Sequence, residues 1–224
     1  GSIRRQRQMC IRDRSTSLLT SPLFHVSGLS AGVVTALFAG TTTYIYEGRF
    51  DPQNILRVID KHKITSWGGA VPTALKRVLD EAPNHNLDYE SMLVVGGGGA
   101  PMPETLIART KQIFKNVEHN FGYGYGLTES GAITVVNWGD DLNNFPRSPG
   151  KPMPTIEVKL IDDDGNEIFD DEVEGEICVR SPSVMLGYYK NQIESNKSLN
   201  KDRFLSTGDY GYRKDDLYLS LIHI

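Results

Sequence analysis

Between residues 28 and 114 the sequence alternates helix-like and strand-like segments, a rhythm that restricts it to a largely parallel sheet crossed by helices. Residues 29–39 read as a helix stopped by Gly40, which without a Cβ suits the left-handed position after a helix end. Thr41, Thr42, Thr43 and Ile45 follow as a β-branched run that favours a strand. Asp51 and Pro52 form a cap and first-turn pair, and Ile55, Leu56 and Ile59 then recur on one helical face. Residues 64–67 read as the next strand, 71–79 as a helix, 93–95 as a buried strand and 103–114 as a further helix. The expected fold class is α/β.

The rhythm changes after about Trp138. Residues 143–154 are rich in proline and poor in apolar residues, as a linker is. Beyond them Ile156, Val158 and Leu160 alternate with polar neighbours. Asp163, Asp164, Gly165 and Asn166 supply turn chemistry, and residues 176–180 read as a partner strand. The expected organisation is an α/β subdomain over 15–145 and a small, β-rich, barrel-like subdomain over 146–219.

At 224 residues the chain is long enough to bury a core, and its net charge of −4 gives no electrostatic case for nucleic acid. One basic run, Arg4, Arg5, Arg7, Arg12 and Arg14, is the exception. Cys10 and Cys178 are too few and too distant for a disulfide scaffold or a zinc site. The longest apolar stretch, residues 29–39, is far short of a bilayer span, and no signal-peptide core is present. The expectation is a cytoplasmic protein without a transmembrane segment.

Four stretches carry chemistry. Gly96-Gly97-Gly98-Gly99-Ala100-Pro101 follows a predicted strand, where backbone without side chains lets a planar ligand lie close. A tight strand-to-helix turn is the competing reading, although four glycines exceed what a turn needs. In Phe121-Gly122-Tyr123-Gly124-Tyr125-Gly126-Leu127-Thr128-Glu129-Ser130, aromatics offer ring faces and Thr128 a hydroxyl for a phosphate oxygen. Glu129 adds a hard oxygen suited to Mg²⁺, and a glycine-rich loop with a solvated carboxylate is the plain alternative. Ser206-Thr207-Gly208-Asp209 could present a carboxylate to both hydroxyls of a ribose, or be an ordinary turn. His25, in Pro22-Leu23-Phe24-His25-Val26-Ser27-Gly28, has nothing in its surroundings to separate a catalytic histidine from a packed or exposed one.

Taken in order, P-L-F-H-V-S-G, G-G-A-P, Y-G-L-T-E, G-E-I-C-V-R-S-P-S-V-M-L-G-Y-Y and S-T-G-D-Y-G-Y make residues 15–219 resemble the adenylate-forming superfamily. That superfamily contains acyl-CoA synthetases, peptide-synthetase adenylation domains and beetle luciferases. The resemblance implies that a carboxylic acid attacks the α-phosphate of ATP to give acyl-AMP and pyrophosphate, after which coenzyme A takes the acyl group. It implies that Gly99, Ala100 and Pro101 line the adenine on one side and Gly124, Tyr125 and Gly126 on the other. Thr128 is implied to hold the α-phosphate, Glu129 to ligate Mg²⁺ and Asp209 to grip the ribose. His25 matches a position bordering the acyl pocket, whose walls are residues 26–32 and 66–72, with Val26, Gly28, Val71 and Gly98 among them. P-L-F-H with V-S-G leans towards the fatty-acid branch, so a fatty or aryl acid is the expected substrate. A peptide-synthetase-type adenylation domain and a noncatalytic adenylate-binding paralogue are the rival readings, the second opposed by intact Thr128, Glu129 and Asp209.

The family's Gly/Ser/Thr-rich phosphate loop ending in Pro-Lys is not found before Pro22, nor is a C-terminal catalytic lysine domain found after Gly211. The chain therefore reads as an internal fragment that is inactive alone. Residues 1–14 are expected to have no counterpart in the family, and residues 220–224 cut off the approach to its hinge; M-C-I-R-D-R and L-S-L-I-H-I look like translated sequencing adapters. Both tails are expected to be non-native, which would empty the basic run of meaning.

Overall fold

The computed structural model of the protein describes residues 15–117, 120–138, 148–215 and 217–222. The expected N-terminal tail and most of the proline-rich linker lie outside the described residues. The chain forms two compact units, Gly1–Tyr123 and Gly124–Ile224.

In the first unit, β1 (Thr16–Leu19) pairs in parallel with β2 (Thr42–Ile45) on one side and β3 (Ser66–Ala70) on the other. Parallel β4 (Val94–Gly98) follows β3, and the Val95 amide reaches the Asn120 carbonyl just before β5 (Phe121–Tyr125). The crossover between β1 and β2 is α1, which begins at Val26–Gly28, passes through a π-helical stretch at Leu29–Val34 and closes at Thr35–Ala39. It starts three residues before the periodicity suggests, because His25 caps it: its Nδ1 accepts from the Ser27 amide. Gly40 ends it in the left-handed region at φ 67°.

The other crossovers are α2 (Pro52–His62), α3 (Pro72–Glu81) and α4 (Glu104–Ile113). Asp51 accepts from the Gln53 amide at the start of α2, a cap typically worth about 1 kcal/mol. Ile55, Leu56 and Ile59 of α2 are fully buried, as are Ile64, Trp67, Leu75, Leu79, Met92 and Phe114. Each such side chain contributes roughly 1.5–3 kcal/mol through removal from water. Arg109 of α4 holds α3 through the Leu79 carbonyl at 2.7 Å and through Asp80.

α1 behaves differently. Phe24 before it and Phe38 within it are 94% and 95% exposed, and Leu37 also faces solvent.

In the second unit, β6 (Val135–Trp138) pairs antiparallel with β7 (Lys151–Pro152). A four-stranded antiparallel sheet follows in the order β11-β10-β9-β8, from β8 (Glu157–Ile161), β9 (Gly175–Arg180), β10 (Leu205–Lys214) and β11 (Leu217–Ile222). β11 runs through residues 220–222, part of the expected C-terminal tail. A short helix, α5 (Gln192–Ser198), precedes β10. Tyr125, Val135, Leu160, Ile177, Val179, Val184 and Leu205 form the core of this unit. Among the described residues no helix is long and apolar enough to cross a membrane.

Candidate functional site

The candidate residues fall into two groups, one in each unit. In the first, the C-terminal ends of parallel strands β3 and β4 lie side by side, the position at which open α/β sheets bind ligands. The glycine run is split between strand and turn: Gly96, Gly97 and Gly98 belong to β4, and Gly99 turns the chain at φ 77°. A Cβ on Gly97 would lie 2.4 Å from Met102 and 2.9 Å from the Ala70 carbonyl, so close packing against β3 explains a glycine that the turn alone does not require. Val71 stands beside Gly99, with Cγ1 3.7 Å from where a Cβ there would be. Ala100 and Pro101 are exposed.

The segment bearing His25 comes to the same strand ends: Ser21 Oγ donates to the Gly69 carbonyl at 3.3 Å. His25 is exposed, and its Nδ1 lies 2.8 Å from Ser27 Oγ, a contact within its own turn. Val26 is half-buried and Gly28 buried at the start of α1.

In the second unit, Gly124 and Tyr125 close β5. Gly126 runs so near its neighbours that a Cβ would come within 1.8 Å of the Ala132 carbonyl. Thr128, Glu129 and Ser130 then make one 3₁₀ turn. Buried Ser130 ties it down: its Oγ accepts from the Leu127 amide at 3.2 Å and from Thr134 Oγ1 at 2.9 Å. From further along the chain, Ser183 Oγ donates to the Ser130 carbonyl at 2.9 Å and the Met185 amide to the Glu129 carbonyl at 2.8 Å. With the backbone fixed, the Thr128 hydroxyl is exposed and the Glu129 carboxylate half-buried. The Tyr188 hydroxyl donates to Glu129 Oε1 at 3.1 Å. Burial and then Glu129 raise the pKa of that phenol, which keeps it a donor at neutral pH.

Asp209 is 7% exposed, a rare burial for a carboxylate. A bulge in β10 puts it there. Leu205 and Ser206 pair with Val179 and Cys178, the register breaks, and pairing resumes at Tyr210 opposite Glu176. Inside the bulge the Thr207 hydroxyl donates to the Ile177 carbonyl at 2.7 Å and accepts from the Asp209 amide at 3.1 Å. The Gly208 amide donates to Glu176 Oε1 at 2.9 Å. The Tyr125 hydroxyl donates to Asp209 Oδ2 at 2.5 Å. Burial first, and the Asp209 charge second, push the Tyr125 phenol well above the usual tyrosine range.

The second unit thus gathers Tyr125 with Asp209 and orders the Thr128–Glu129 turn; the first gathers Val71, Gly98 and Gly99, with the His25 segment tied to the same strand ends. Sequence reasoning missed Tyr188 and the Tyr125 hydroxyl as partners of Glu129 and Asp209. Those pairs span 59 and 84 residues, and no local pattern announces them.

Among the described residues no cluster of three His, Cys, Asp or Glu could cage a metal. A lone carboxylate still fits Mg²⁺, which is usually held by one or two carboxylates together with substrate phosphates.

The parallel α/β unit and the antiparallel unit define the large-domain fold of adenylate-forming enzymes. The chain belongs to the AMP-binding enzyme family, whose model matches residues 2–189. It is 31% identical over 203 residues to the phenylacetyl-CoA ligase epaB of Aspergillus niger, covering 88% of this chain and 36% of that protein. It is 30% identical over 201 residues to a long-chain-fatty-acid–CoA ligase of Salmonella typhimurium, covering 90% and 35%. Among solved structures, o-succinylbenzoate CoA synthetase of Bacillus subtilis, in complex with its acyl-adenylate intermediate, superposes with TM-score 0.80 at 29% identity over 92% of this chain and 40% of that one. The N-terminal domain of FACL13 from Mycobacterium tuberculosis superposes with TM-score 0.83 at 27% identity over 94% and 51%. The chain therefore spans little more than a third of the length of the curated relatives it matches.

Proposed function

We propose that this chain is the adenylate-binding part of an ATP-dependent acid–CoA ligase acting on a fatty or aryl acid. The observation that carries the reading is Asp209: a buried carboxylate held by a phenol and a braced bulge is a fixed acceptor, suited to neighbouring sugar hydroxyls. Relatives named as ligases of phenylacetate and long-chain fatty acids support the substrate class.

In this reading the acid's carboxylate attacks the α-phosphorus of ATP, pyrophosphate leaves with its bonding electrons, and acyl-AMP forms. A coenzyme A thiol then takes the acyl group and AMP departs. Backbone at Gly99, Ala100 and Pro101 lies against the adenine, and Gly124, Tyr125 and Gly126 are its other binding residues. The Thr128 hydroxyl donates to an α-phosphate oxygen, and Asp209 accepts from the ribose. Val26, Gly28, Val71 and Gly98 border the acyl pocket, with His25 at its entrance. Glu129 would hold Mg²⁺, which supplies charge neutralisation and orientation for the phosphates.

The test is AMP release by the longer enzyme containing this chain, measured over a panel of fatty and aryl acids with and without coenzyme A. Release that depends on both acid and thiol is expected. No release with any acid overturns the proposal.

A further inference from the structure

We propose that Tyr125 is a positioning residue for the sugar: its hydroxyl fixes the Asp209 carboxylate so that the nucleotide's ribose hydroxyls meet a preset acceptor. The inference rests on the ribose-binding reading of Asp209 and goes beyond it. There Tyr125 serves only as a surface beside the adenine; here its oxygen acts through another residue.

Three observations carry it. The first is the bond itself, 2.5 Å from Tyr125 Oη to Asp209 Oδ2, linking the last residue of β5 to the bulge of β10 across 84 residues of sequence. Short phenol–carboxylate bonds are among the stronger and more directional hydrogen bonds in proteins. The second is burial on both sides: Tyr125 is 9% exposed and sits in the core of its unit, so the ring cannot swing away from the carboxylate. The third is that the bulge carrying the carboxylate is itself braced. Thr207 accepts from the Asp209 amide and donates to the Ile177 carbonyl, so the phenol meets a carboxylate on a fixed backbone. The phenol is held protonated, so it always donates. A carboxylate anchored at one oxygen loses rotational freedom before the sugar arrives, and that preorganisation shows up as affinity for groups at one defined place.

The experiment titrates the 224-residue chain with AMP, 2′-deoxy-AMP and 3′-deoxy-AMP by calorimetry, for wild type, Tyr125→Phe, Asp209→Asn and the double variant. Phenylalanine keeps the ring and its adenine-facing surface. Wild type should prefer AMP over each deoxy analogue by about tenfold, the usual scale for a hydrogen bond to a charged group. Tyr125→Phe should cut that preference to about twofold, lowering affinity for AMP more than for either deoxy analogue, each of which keeps one hydroxyl on Asp209. In the Asp209→Asn background it should change the preference no further, as expected for two residues acting as one unit.

Three results would overturn the inference: an undiminished preference in Tyr125→Phe, an equal loss for all three nucleotides, or a Tyr125→Phe chain that fails to fold, which would give the bond to stability rather than to the sugar. Failure of the underlying reading looks different: wild type would bind no AMP, or bind it no better than the deoxy analogues.

Discussion

Asp209 and His25 are the two most chemically suggestive side chains here, and they are held in opposite ways. Asp209 is buried, aimed by a phenol from 84 residues away and by a bulge braced through the Thr207 hydroxyl and the Gly208 amide. His25 is exposed, and its ring hydrogen-bonds to Ser27 in its own turn. Under the proposed function this contrast has a chemical sense. Ribose is the same in every ATP, so its acceptor can be built rigidly; the acid differs between relatives, and its entrance is left to an exposed surface segment. Phe24 beside His25, and Leu37 and Phe38 in the last turn of α1, extend the contrast, since they are exposed whereas Tyr125 beside Asp209 is packed in a core.

The largest test of the contrast concerns the whole chain. Taken alone, the 224 residues should give no acid-dependent pyrophosphate release above a mock purification. They contain nucleotide-side residues but no Gly/Ser/Thr-rich loop ending in Pro-Lys. Preorganised contacts of that kind commonly supply most of an enzyme's rate enhancement, so the loss should be many orders of magnitude. Release above the mock would mean that the braced half suffices.

Asp209→Ala, placed in the longer ligase that the proposed function implies, comes next. Removing a charged acceptor from two hydroxyls should weaken ATP and acyl-adenylate binding by about 2–4 kcal/mol. Unchanged affinity in calorimetry would make Asp209 a turn residue and dissolve the comparison.

Glu129→Gln keeps the shape of the turn and removes the charge. Adenylation should fall steeply at low Mg²⁺ and recover partly at high Mg²⁺, because mass action restores a weakened site. Tyr188→Phe should shift the same Mg²⁺ curve by less, about 0.5–1.5 kcal/mol, since it removes one hydrogen bond to the carboxylate and leaves the charge. A flat Mg²⁺ response in Glu129→Gln rules the metal role out.

The smallest expected effect lies on the unbraced side. Leu37→Ser and Phe38→Ser should alter thermal stability by within about 0.5 kcal/mol, as exposed positions do, while raising the soluble yield of the chain. A large loss of stability would show that this surface is packed after all.

Much of the architecture was legible because it is written in local chemistry. Asp51-Pro52, the Ile55–Leu56–Ile59 stripe and Gly40 each announce their element from a few neighbours. Edges were less legible. Gly96, Gly97 and Gly98 read as punctuation but continue β4, since the space they occupy is set by Ala70 and Met102. The π-helical stretch of α1 carries no periodicity of its own and went unseen. The motif order pointed to Thr128, Glu129 and Asp209, but not to what steadies them. Ser183, Met185 and Tyr188 lie in a run whose family likeness was plain, yet their contacts with the Thr128–Glu129 turn arise only once β9 and its following loop are in place.

The β10 bulge has a consequence for how this sequence can change. Thr207, Gly208 and Asp209 stand opposite Ile177 alone, a surplus of two residues over an even ladder. Two residues are one full pleat, so Tyr210 and everything beyond it keep the facing they would have had without the bulge. Dropping one residue would break that parity and turn the rest of β10 inside out, carrying Tyr210, Tyr212 and Lys214 to the opposite side of the sheet. At this point in the chain, length can be gained or lost only in pairs.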